Sequence, residues 1–505
     1  MEKEEYDKDY FEAKISKVDF DGYGISRLKK PTDNSLSNKS IQKYKLLIPY
    51  ALEDEIVLTS IKLKKRNVII CKPPKEISNE NPNRAKPNCP YFSRCGGCFL
   101  QHMTPEKQIE VKKEFLKTLF SNINSNKICD DAPKAKASKQ LLNQAQKETL
   151  QIKNPFEMRI YKPKKQYGYR NRVDLTIANE EINDCKNTTI TTKKVSFRQK
   201  GTYWKTVNID NCAIALDSIN LAIKKLNSFL KYSKSSFYDI RKKEGTMRFF
   251  VIRVAENTND FSIGLLLSKN SETQSAMEEF RDFCKKEAIK NAYVMLTNSL
   301  SDVSVSDEYI QISGENCFSE SVLENNFKIP NTSFFQVNTS GFEELLIKTK
   351  EELTACCDNL NQMQAIDLFC GVGTITLSLA KLFQKITGYE LEKNSVALAT
   401  ENADSNNIKT ADFKAIDLLK KENLSIIDLS KKALILDPPR AGIGNKLIEK
   451  INLEGPALIV YISCNPKSQS EDIKRLKGYK IKSQLAFDIF PQTPHLENVL
   501  ILEKI

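Results

Sequence analysis

Asp367-Leu368-Phe369-Cys370-Gly371-Val372-Gly373-Thr374 is the stretch on which the reading of this 505-residue chain turns. The apolar run at 365–369 predicts a buried strand, and the pattern at 375–383 predicts a helix. Gly371 and Gly373 lie between them, at a strand's carboxyl end. Glycines there let the backbone approach a ligand closely, and that edge is where open α/β sheets bind their ligands.

A dinucleotide fingerprint carries a third glycine beyond the second. Ile375 and Thr376 stand there instead, and the leading Asp367 is foreign to that fingerprint. Glu390 closes the next apolar run, at 385–390, where a carboxylate can bond both hydroxyls of a ribose. The combination fits S-adenosylmethionine better than NAD. Further apolar runs at 412–415, 433–436 and 457–463 alternate with helical patterns, which predicts a parallel sheet covered on both faces. The runs at 480–487 and 499–502 lie close together and predict an antiparallel end to that sheet.

Two more loops fall at the same predicted edge. Asp437-Pro438-Pro439-Arg440 follows the fourth strand of this region, and its prolines impose a rigid, non-helical backbone. Amino-methyltransferases use a similar loop ending in an aromatic residue. Arg440 in that place argues against stacking on a flipped adenine. Ser463-Cys464-Asn465-Pro466 follows the fifth strand, so Cys464 sits where a thiolate can reach a substrate. Most single cysteines are small buried hydrophobes; this one follows a strand in a domain that already has a cofactor loop. His495-Leu496-Glu497 precedes the last strand, and Glu497 is placed to act as a general base.

Outward from this domain the composition changes. Residues 1–300 carry 55 Lys+Arg against 36 Asp+Glu, while residues 301–505 carry 22 against 28. A basic front on a slightly acidic back points to a polyanionic partner, weighed against a merely solvated lysine-rich surface. Short apolar stretches and turn signals at 11–72 predict a small β-barrel, interrupted by a polar loop at 29–44. A helix is predicted near 104–121 and a flexible Lys/Ala/Gln-rich insertion at 122–154. Residues 167–330 read as mixed strands and helices, with strands at 172–178, 248–254, 261–267 and 292–296 and helices at 216–232 and 272–287.

No apolar run approaches the roughly 18 residues a membrane helix needs. The acidic start Met1-Glu2-Lys3-Glu4-Glu5 has no apolar segment behind it, so no secretory signal and no membrane partner are expected, and the expected location is cytoplasmic. In that reducing setting the 13 cysteines read as thiols, metal ligands or a nucleophile. Cys89, Cys95 and Cys98 bring three thiolates onto a glycine-containing loop. Their spacing alone serves two metal centres equally: a four-thiolate iron–sulfur cluster with a distant cysteine, or zinc with His102 as fourth ligand. Arg94, Arg170, Arg172, Arg198 and Lys200, with Tyr169 and Trp204, offer phosphate contacts and stacking.

Phe335-Gln336-Val337-Asn338, the 367–374 loop, the 437–440 loop, the 463–466 loop and the 495–498 segment, in this order and spacing, resemble the RNA uridine-5-methyltransferase family. Residues 11–72 resemble its TRAM RNA-binding barrel. The cysteine loop and the segments 197–201 and 210–212 resemble its iron–sulfur subgroup that methylates 23S ribosomal RNA. The resemblance implies three parts: a TRAM-like, OB-like β-barrel at 1–75, a central α/β domain with an iron–sulfur loop at 76–330, and a Rossmann-like class I methyltransferase domain at 331–505. The helix at 104–121 is then expected to pack on the last domain. The implied cofactors are S-adenosylmethionine and a [4Fe–4S] cluster on Cys89, Cys95, Cys98 and Cys212.

The resemblance also implies Cys464 as nucleophile and Glu497 as base. Gln336, Phe369, Gly371, Thr374, Glu390, Asp417 and Asp437 correspond to the cofactor site. Thr374 stands where relatives often have Asn, and Asp437 is open to a contact with either the cofactor or the uracil ring. The implied reaction adds the Cys464 thiolate to uracil C6, which makes C5 nucleophilic toward the donor's methyl group, after which Glu497 removes the C5 proton. The implied partner is RNA, 23S rRNA ahead of tRNA, because tRNA members commonly lack both the barrel and the cluster. No obligate protein partner is implied. A catalytically inactive RNA-binding or chaperone protein is the alternative of another class.

Overall fold

The computed structural model describes residues 10–26, 44–121, 123, 158–183, 189–304, 306–418 and 420–505. Most of the predicted loop at 29–44 and nearly all of the predicted insertion at 122–154 lie outside the described residues.

The first strands are β1 (Phe11–Val18), β2 (Tyr23–Ser26), β3 (Lys45–Pro49), β4 (Ile56–Thr59), β5 (Ile61–Lys65), β6 (Val68–Cys71) and β7 (Glu76–Ser78). They pair in the order β5-β6-β3-β2-β1-β4-β7. Ser60 alone separates β4 from β5, so these two are halves of one bent strand. The sheet therefore rolls up, and its two flanks meet at that bend. Alternate residues point inward: Ala13, Ile15, Leu46, Ile48, Val57 and Ile69 form its core.

The helix Pro105–Phe120 follows, capped by Thr104, whose hydroxyl accepts from the Lys107 N–H at 3.3 Å. Leu116 and Phe120 of this helix pack into the core under the last sheet, while Val111 packs with Leu52, Phe99 and Leu100. The helix thus ties the front of the chain to its back.

Next come β8 (Met158–Tyr161), β9 (Arg172–Asn183), β10 (Thr189–Arg198), β11 (Thr206–Asn208), β12 (Met247–Val254), β13 (Phe261–Ser268), β14 (Asn291–Thr297) and β15 (Glu308–Ser313). From β9 onward these form a second sheet, ordered β11-β10-β9-β12-β13-β14-β15, with helices Asp217–Tyr232 and Thr273–Lys286. β16 (Cys317–Val322) and β17 (Asn325–Pro330) form a separate hairpin.

The last sheet contains β18 (Gln364–Leu368), β19 (Lys385–Glu390), β20 (Ala411–Ala415), β21 (Ala433–Leu436), β22 (Leu458–Ser463), β23 (Tyr479–Phe487) and β24 (Glu497–Lys504). Its order is β20-β19-β18-β21-β22-β24-β23-β8. β18 to β22 run parallel, and β24 lies antiparallel to both β22 and β23. Successive strand residues feed opposite cores: Ile435 and Val460 on one face, Leu434, Leu436 and Ile459 on the other. β8 joins the far edge parallel to β23, although it precedes the whole second sheet in the chain. The helix predicted at 375–383 is shorter: Thr374–Leu379 is α-helical and Ala380–Leu382 tightens to a 3-10 turn. Among the described residues no helix is long and apolar enough to cross a membrane.

Candidate active site

The carboxyl ends of β18, β19, β21 and β22 gather most of the candidate residues along one edge. Gly371 has φ +55°, and a Cβ there would meet nothing within 4 Å, so open space lies directly over its backbone. Its N–H donates to Glu390 Oε2 at 3.0 Å. Glu390 Oε1 accepts from Leu391 N–H at 2.7 Å, which fixes the carboxylate at the end of β19. Gly373 serves another purpose. A Cβ there would lie 2.8 Å from the Phe413 ring, so this glycine permits close packing and not ligand approach. Thr376, where a dinucleotide fingerprint would carry glycine, donates its hydroxyl to buried Asp367 at 2.5 Å. Phe369 adopts φ +71° in the same turn, and Thr374 is buried at the first position of the helix.

The open cradle over Gly371 beside a fixed carboxylate suits a ribose-bearing cofactor such as S-adenosylmethionine. Asp417 follows β20, next to β19 in the sheet, and pairs with Lys420 at 4.0 Å. Gln336 is buried in the segment entering helix Thr339–Cys356. Asn171 holds that segment, donating its side-chain N–H to Gln336 O and its backbone N–H to Val337 O.

Cys464 and Glu497 come together through strand register. Ser463 of β22 pairs with Asn498 of β24, so the residues one step beyond, Cys464 and Glu497, face each other. Burial pushes the Cys464 thiol up to about 11; the Glu497 charge adds to this, and the Arg440 guanidinium opposes it. Glu497 is 1 % exposed, with Oε2 lacking a hydrogen-bond partner. Burial, then the charge of Asp437, raises its pKa well above the usual carboxylate range, and Arg440 pulls it back. Desolvation also raises Asp437, to about 7. Asn465 donates to Arg440 O at 2.9 Å, which joins the 437–440 and 463–466 loops. Arg440 is the functional residue that the sequence reading used only to exclude adenine. Its charge bears on both candidate catalytic groups, a relationship visible only once the two loops are side by side.

The four candidate cysteine ligands line a second site, a cavity of about 430 Å³. Cys89, Cys95 and Cys98 come from the loop before helix Pro105–Phe120, and Cys212 from the turn after β11. Burial, with the neighbouring thiols adding to it, pushes Cys95 to about 11 and Cys98 to about 12. Gly97 N–H donates to Cys95 Sγ at 3.4 Å, and Gln101, also on the cavity wall, has its side-chain nitrogen buried without a partner. Among the described residues no three His, Cys, Asp or Glu side chains stand close enough together to hold a metal ion. The thiols share a cavity without converging on a point. His102 is outside that lining, packed between Tyr50 and Phe92 with both ring nitrogens unpartnered.

The proposed RNA-facing residues divide. Tyr169 is fully buried and donates its hydroxyl to Pro491 O at 2.8 Å, so it is a structural anchor and not a stacking platform. Arg172 is paired with Asp174 and Arg198 with Asp302. Lys200 is enclosed by Tyr23, Tyr50 and Phe99, and desolvation lowers it to about 7. Arg94 and Trp204 remain exposed, and Trp204 lies edge-on to exposed Tyr203 at 4.9 Å.

Comparison with known proteins agrees with this geometry. A model of the tRNA (uracil-5-)-methyltransferase family matches residues 136–505. An RNA methyltransferase of Nanoarchaeum equitans is 30% identical over 462 residues, covering 90% of this chain and 89% of that protein. The tRNA (uracil(54)-C(5))-methyltransferase of Pyrococcus furiosus is 28% identical over 486 residues, covering 96% and 97%. The crystal structure of the Pyrococcus abyssi tRNA (uracil-54, C5)-methyltransferase shares the fold, with a TM-score of 0.68 and 24% identity over 97% of this chain and 100% of that one. With a family match spanning most of its length and a cofactor cradle and a thiol–carboxylate pair on the same sheet edge, the chain belongs to the tRNA (uracil-5-)-methyltransferase family and is an S-adenosylmethionine-dependent RNA uracil-5-methyltransferase.

Proposed function

We propose that this enzyme methylates one uridine of a folded RNA through a covalent Cys464–uracil C6 adduct. The observation that carries the reading is the Ser463–Asn498 pairing, which sets a thiol opposite a carboxyl group with Arg440 as their shared counter-charge. Addition of the Cys464 thiolate to C6 moves an electron pair through C5=C6 onto the C4 carbonyl. The resulting enolate attacks the donor's methyl group from C5, and the sulfonium leaves as a neutral thioether. Glu497 takes the C5 proton, the C5–H pair re-forms C5=C6, and the thiolate departs. A buried carboxylate with one oxygen left without a hydrogen-bond donor, as Glu497 Oε2 is, is a strong base once ionised, and Arg440 favours that ionisation. Gly371 and Glu390 would hold the cofactor's ribose, and Gln336, Phe369, Thr374, Asp417 and Asp437 would line the rest of its site.

In this reading the rolled N-terminal sheet is a TRAM-like RNA-binding barrel. Cys89, Cys95, Cys98 and Cys212 hold a [4Fe–4S] cluster, which supplies a structural staple. What favours that ligand set is that all four thiols line one cavity, although no three of them converge there, and the place of His102 outside it disfavours zinc. For the substrate we put tRNA first. The Pyrococcus furiosus tRNA enzyme matches this chain from front to back, which removes the architectural argument for rRNA. A 23S rRNA uridine is the second reading, on the resemblance of the cysteine loop and the segments 197–201 and 210–212 to the subgroup that methylates it. Mass spectrometry of nuclease fragments from tRNA and rRNA, with and without this gene, tests both. Loss of one 5-methyluridine from tRNA is expected; loss from 23S rRNA alone would select the second reading, and no loss from either would overturn the proposal.

A further inference from the structure

The segment that delivers Glu497 to the site is the turn between β23 and β24, residues 488–496. Asn338 holds one end of it, donating to Ile489 O at 2.7 Å, and bonds from the front of the chain hold the rest, most of them meeting at one residue. Gln492 is 2 % exposed and has φ +69°, a left-handed conformation costly for a residue with a side chain. Each of its polar groups is engaged. Its carbonyl accepts from Phe99 N–H at 2.9 Å and Leu100 N–H at 3.0 Å, directly after Cys98. Its N–H donates to Gln108 Oε1 at 2.9 Å, and its side-chain oxygen accepts from Gln108 Nε2 at 3.0 Å. Its side-chain nitrogen donates to Gln166 at 3.1 Å. Around this knot, Lys112 pairs with Asp488 at 2.6 Å with both side chains buried, and Tyr169 donates to Pro491 O. A strained residue with all its hydrogen bonds made is one whose surroundings dictate its shape.

We propose that Gln492, clamped by Gln108 and the cysteine loop, is a positioning residue for Glu497: the front of the chain sets the catalytic turn, and with it the rate of C5 proton removal. The inference rests on the covalent reading above. It also gives the cysteine loop a part in catalysis that needs no contact with substrate.

The test uses full-length protein. Gln492→Gly suits the left-handed backbone and keeps its N–H and C=O while deleting the side-chain bonds. Gln108→Ala cuts the same link from the helix and serves if the first variant does not fold. Turnover is expected to fall about tenfold or more, because small displacements of a catalytic group are costly. Because the slowed step follows methyl transfer, KM for RNA and S-adenosylmethionine should fall with turnover and not rise. With methyl-labelled donor, a denaturation-resistant protein–RNA adduct carrying the label should accumulate in the variant and not in the wild type. Wild-type enzyme on 5-fluorouridine RNA, which has no C5 proton to lose, should form an adduct regardless. Absence of that control adduct would overturn the covalent reading itself. With the control adduct present, unchanged turnover, or a lower melting temperature without labelled adduct, would overturn the positioning role alone.

Discussion

Ser463 and Asn498 pair directly across two antiparallel strands, and this one register position sets Cys464 beside Glu497. The register is well secured. Asn498 donates to Gln469 Oε1 at 2.6 Å and accepts from Gln484 at 3.1 Å, and Gln469 donates back to Tyr461 O and Asn498 O. A one-residue slip would turn every side chain of β24 to the other face. In the proposed mechanism the two groups act at different steps, so their variants should differ. Cys464→Ala should abolish methyl transfer with cofactor and RNA still bound. Glu497→Gln should permit addition and methyl transfer but stall proton removal, trapping a methylated adduct visible on a denaturing gel. Full activity in Cys464→Ala would sink the covalent route; an inactive Glu497→Gln without adduct would move Glu497 to an earlier step.

Arg440 should reveal itself in the pH profile. It favours the charged forms of both Cys464 and Glu497. The thiol is held near 11, so the thiolate fraction, and the rate with it, should climb as pH rises from 6.5 to 9.5. Arg440→Gln should raise both pKa values further. Each unit so added costs about tenfold across that whole range, which lies below the thiol's titration, so the variant's profile should run parallel to the wild type's and close on it only as pH nears 11. Single-turnover methyl transfer at saturating RNA reads the effect; a loss that disappears once RNA is saturating would mean that Arg440 only grips the RNA backbone.

The parallel sheet could be read from the sequence because its strands are continuous apolar runs punctuated by turns, as at 385–390 and 433–436, which the structure reproduces at both ends. The strands missed were β8, β10, β11, β15 and the β16–β17 hairpin. Thr189–Arg198 carries Thr and Lys where apolar alternation was sought, and it is held by eight register pairs with β9. Local pattern has no access to such pairing. The Cys464–Glu497 pair was nameable from motif resemblance, but the counter-charge of Arg440 was not, since it depends on two loops meeting through Asn465 and Arg440 O, 25 residues apart in number. Gln108 and Gln492 lie further still beyond sequence reasoning, being neither motif nor periodic and separated by 384 residues.

The cysteine site makes an analytical prediction. Protein purified anaerobically should be brown and contain iron and acid-labile sulfide. Cys212→Ser should lower both, because Cys212 shares the cavity with the three loop thiols. His102→Ala should leave them unchanged. Colourless protein with one zinc per chain, retained in Cys212→Ser, would overturn the cluster.

RNA binding should depend on an exposed aromatic pair. Tyr203 and Trp204 are 62 % and 40 % exposed at the tip between β10 and β11. That tip is tied to the cysteine loop by the Lys200 N–H donating to Arg94 O at 2.9 Å. Base stacking on an aromatic ring is worth about 1–3 kcal/mol. Trp204→Ala should therefore weaken RNA affinity about tenfold with the salt slope unchanged, whereas Arg94→Ala should reduce the slope if it meets a phosphate. Fluorescence anisotropy with labelled RNA at several salt concentrations separates the two; unaltered affinity in Trp204→Ala would place the RNA elsewhere.

Asp367 should make stability depend on pH in an unusual direction. It is 1 % exposed, and burial raises it to about 7 despite the bond from Thr376, with the charges of Asp437 and Glu390 adding to the shift. An unfolded Asp titrates near 3.9, at about that value in peptides. Between roughly pH 4 and 7 the folded state therefore binds more protons than the unfolded one, and stability falls as pH rises through that window. Asp437, also raised to about 7, contributes in the same direction. Carboxylates held low by ion pairs elsewhere have the opposite slope, so the measurement is a difference between proteins. Asp367→Asn keeps a neutral polar group of the same shape and should remove Asp367's share of the slope. Urea midpoints for wild type and variant at pH 5 and pH 8 should show the variant gaining on the wild type at the higher pH. A deficit that grows on going to pH 8 would mean that the charged carboxylate is the form the fold requires.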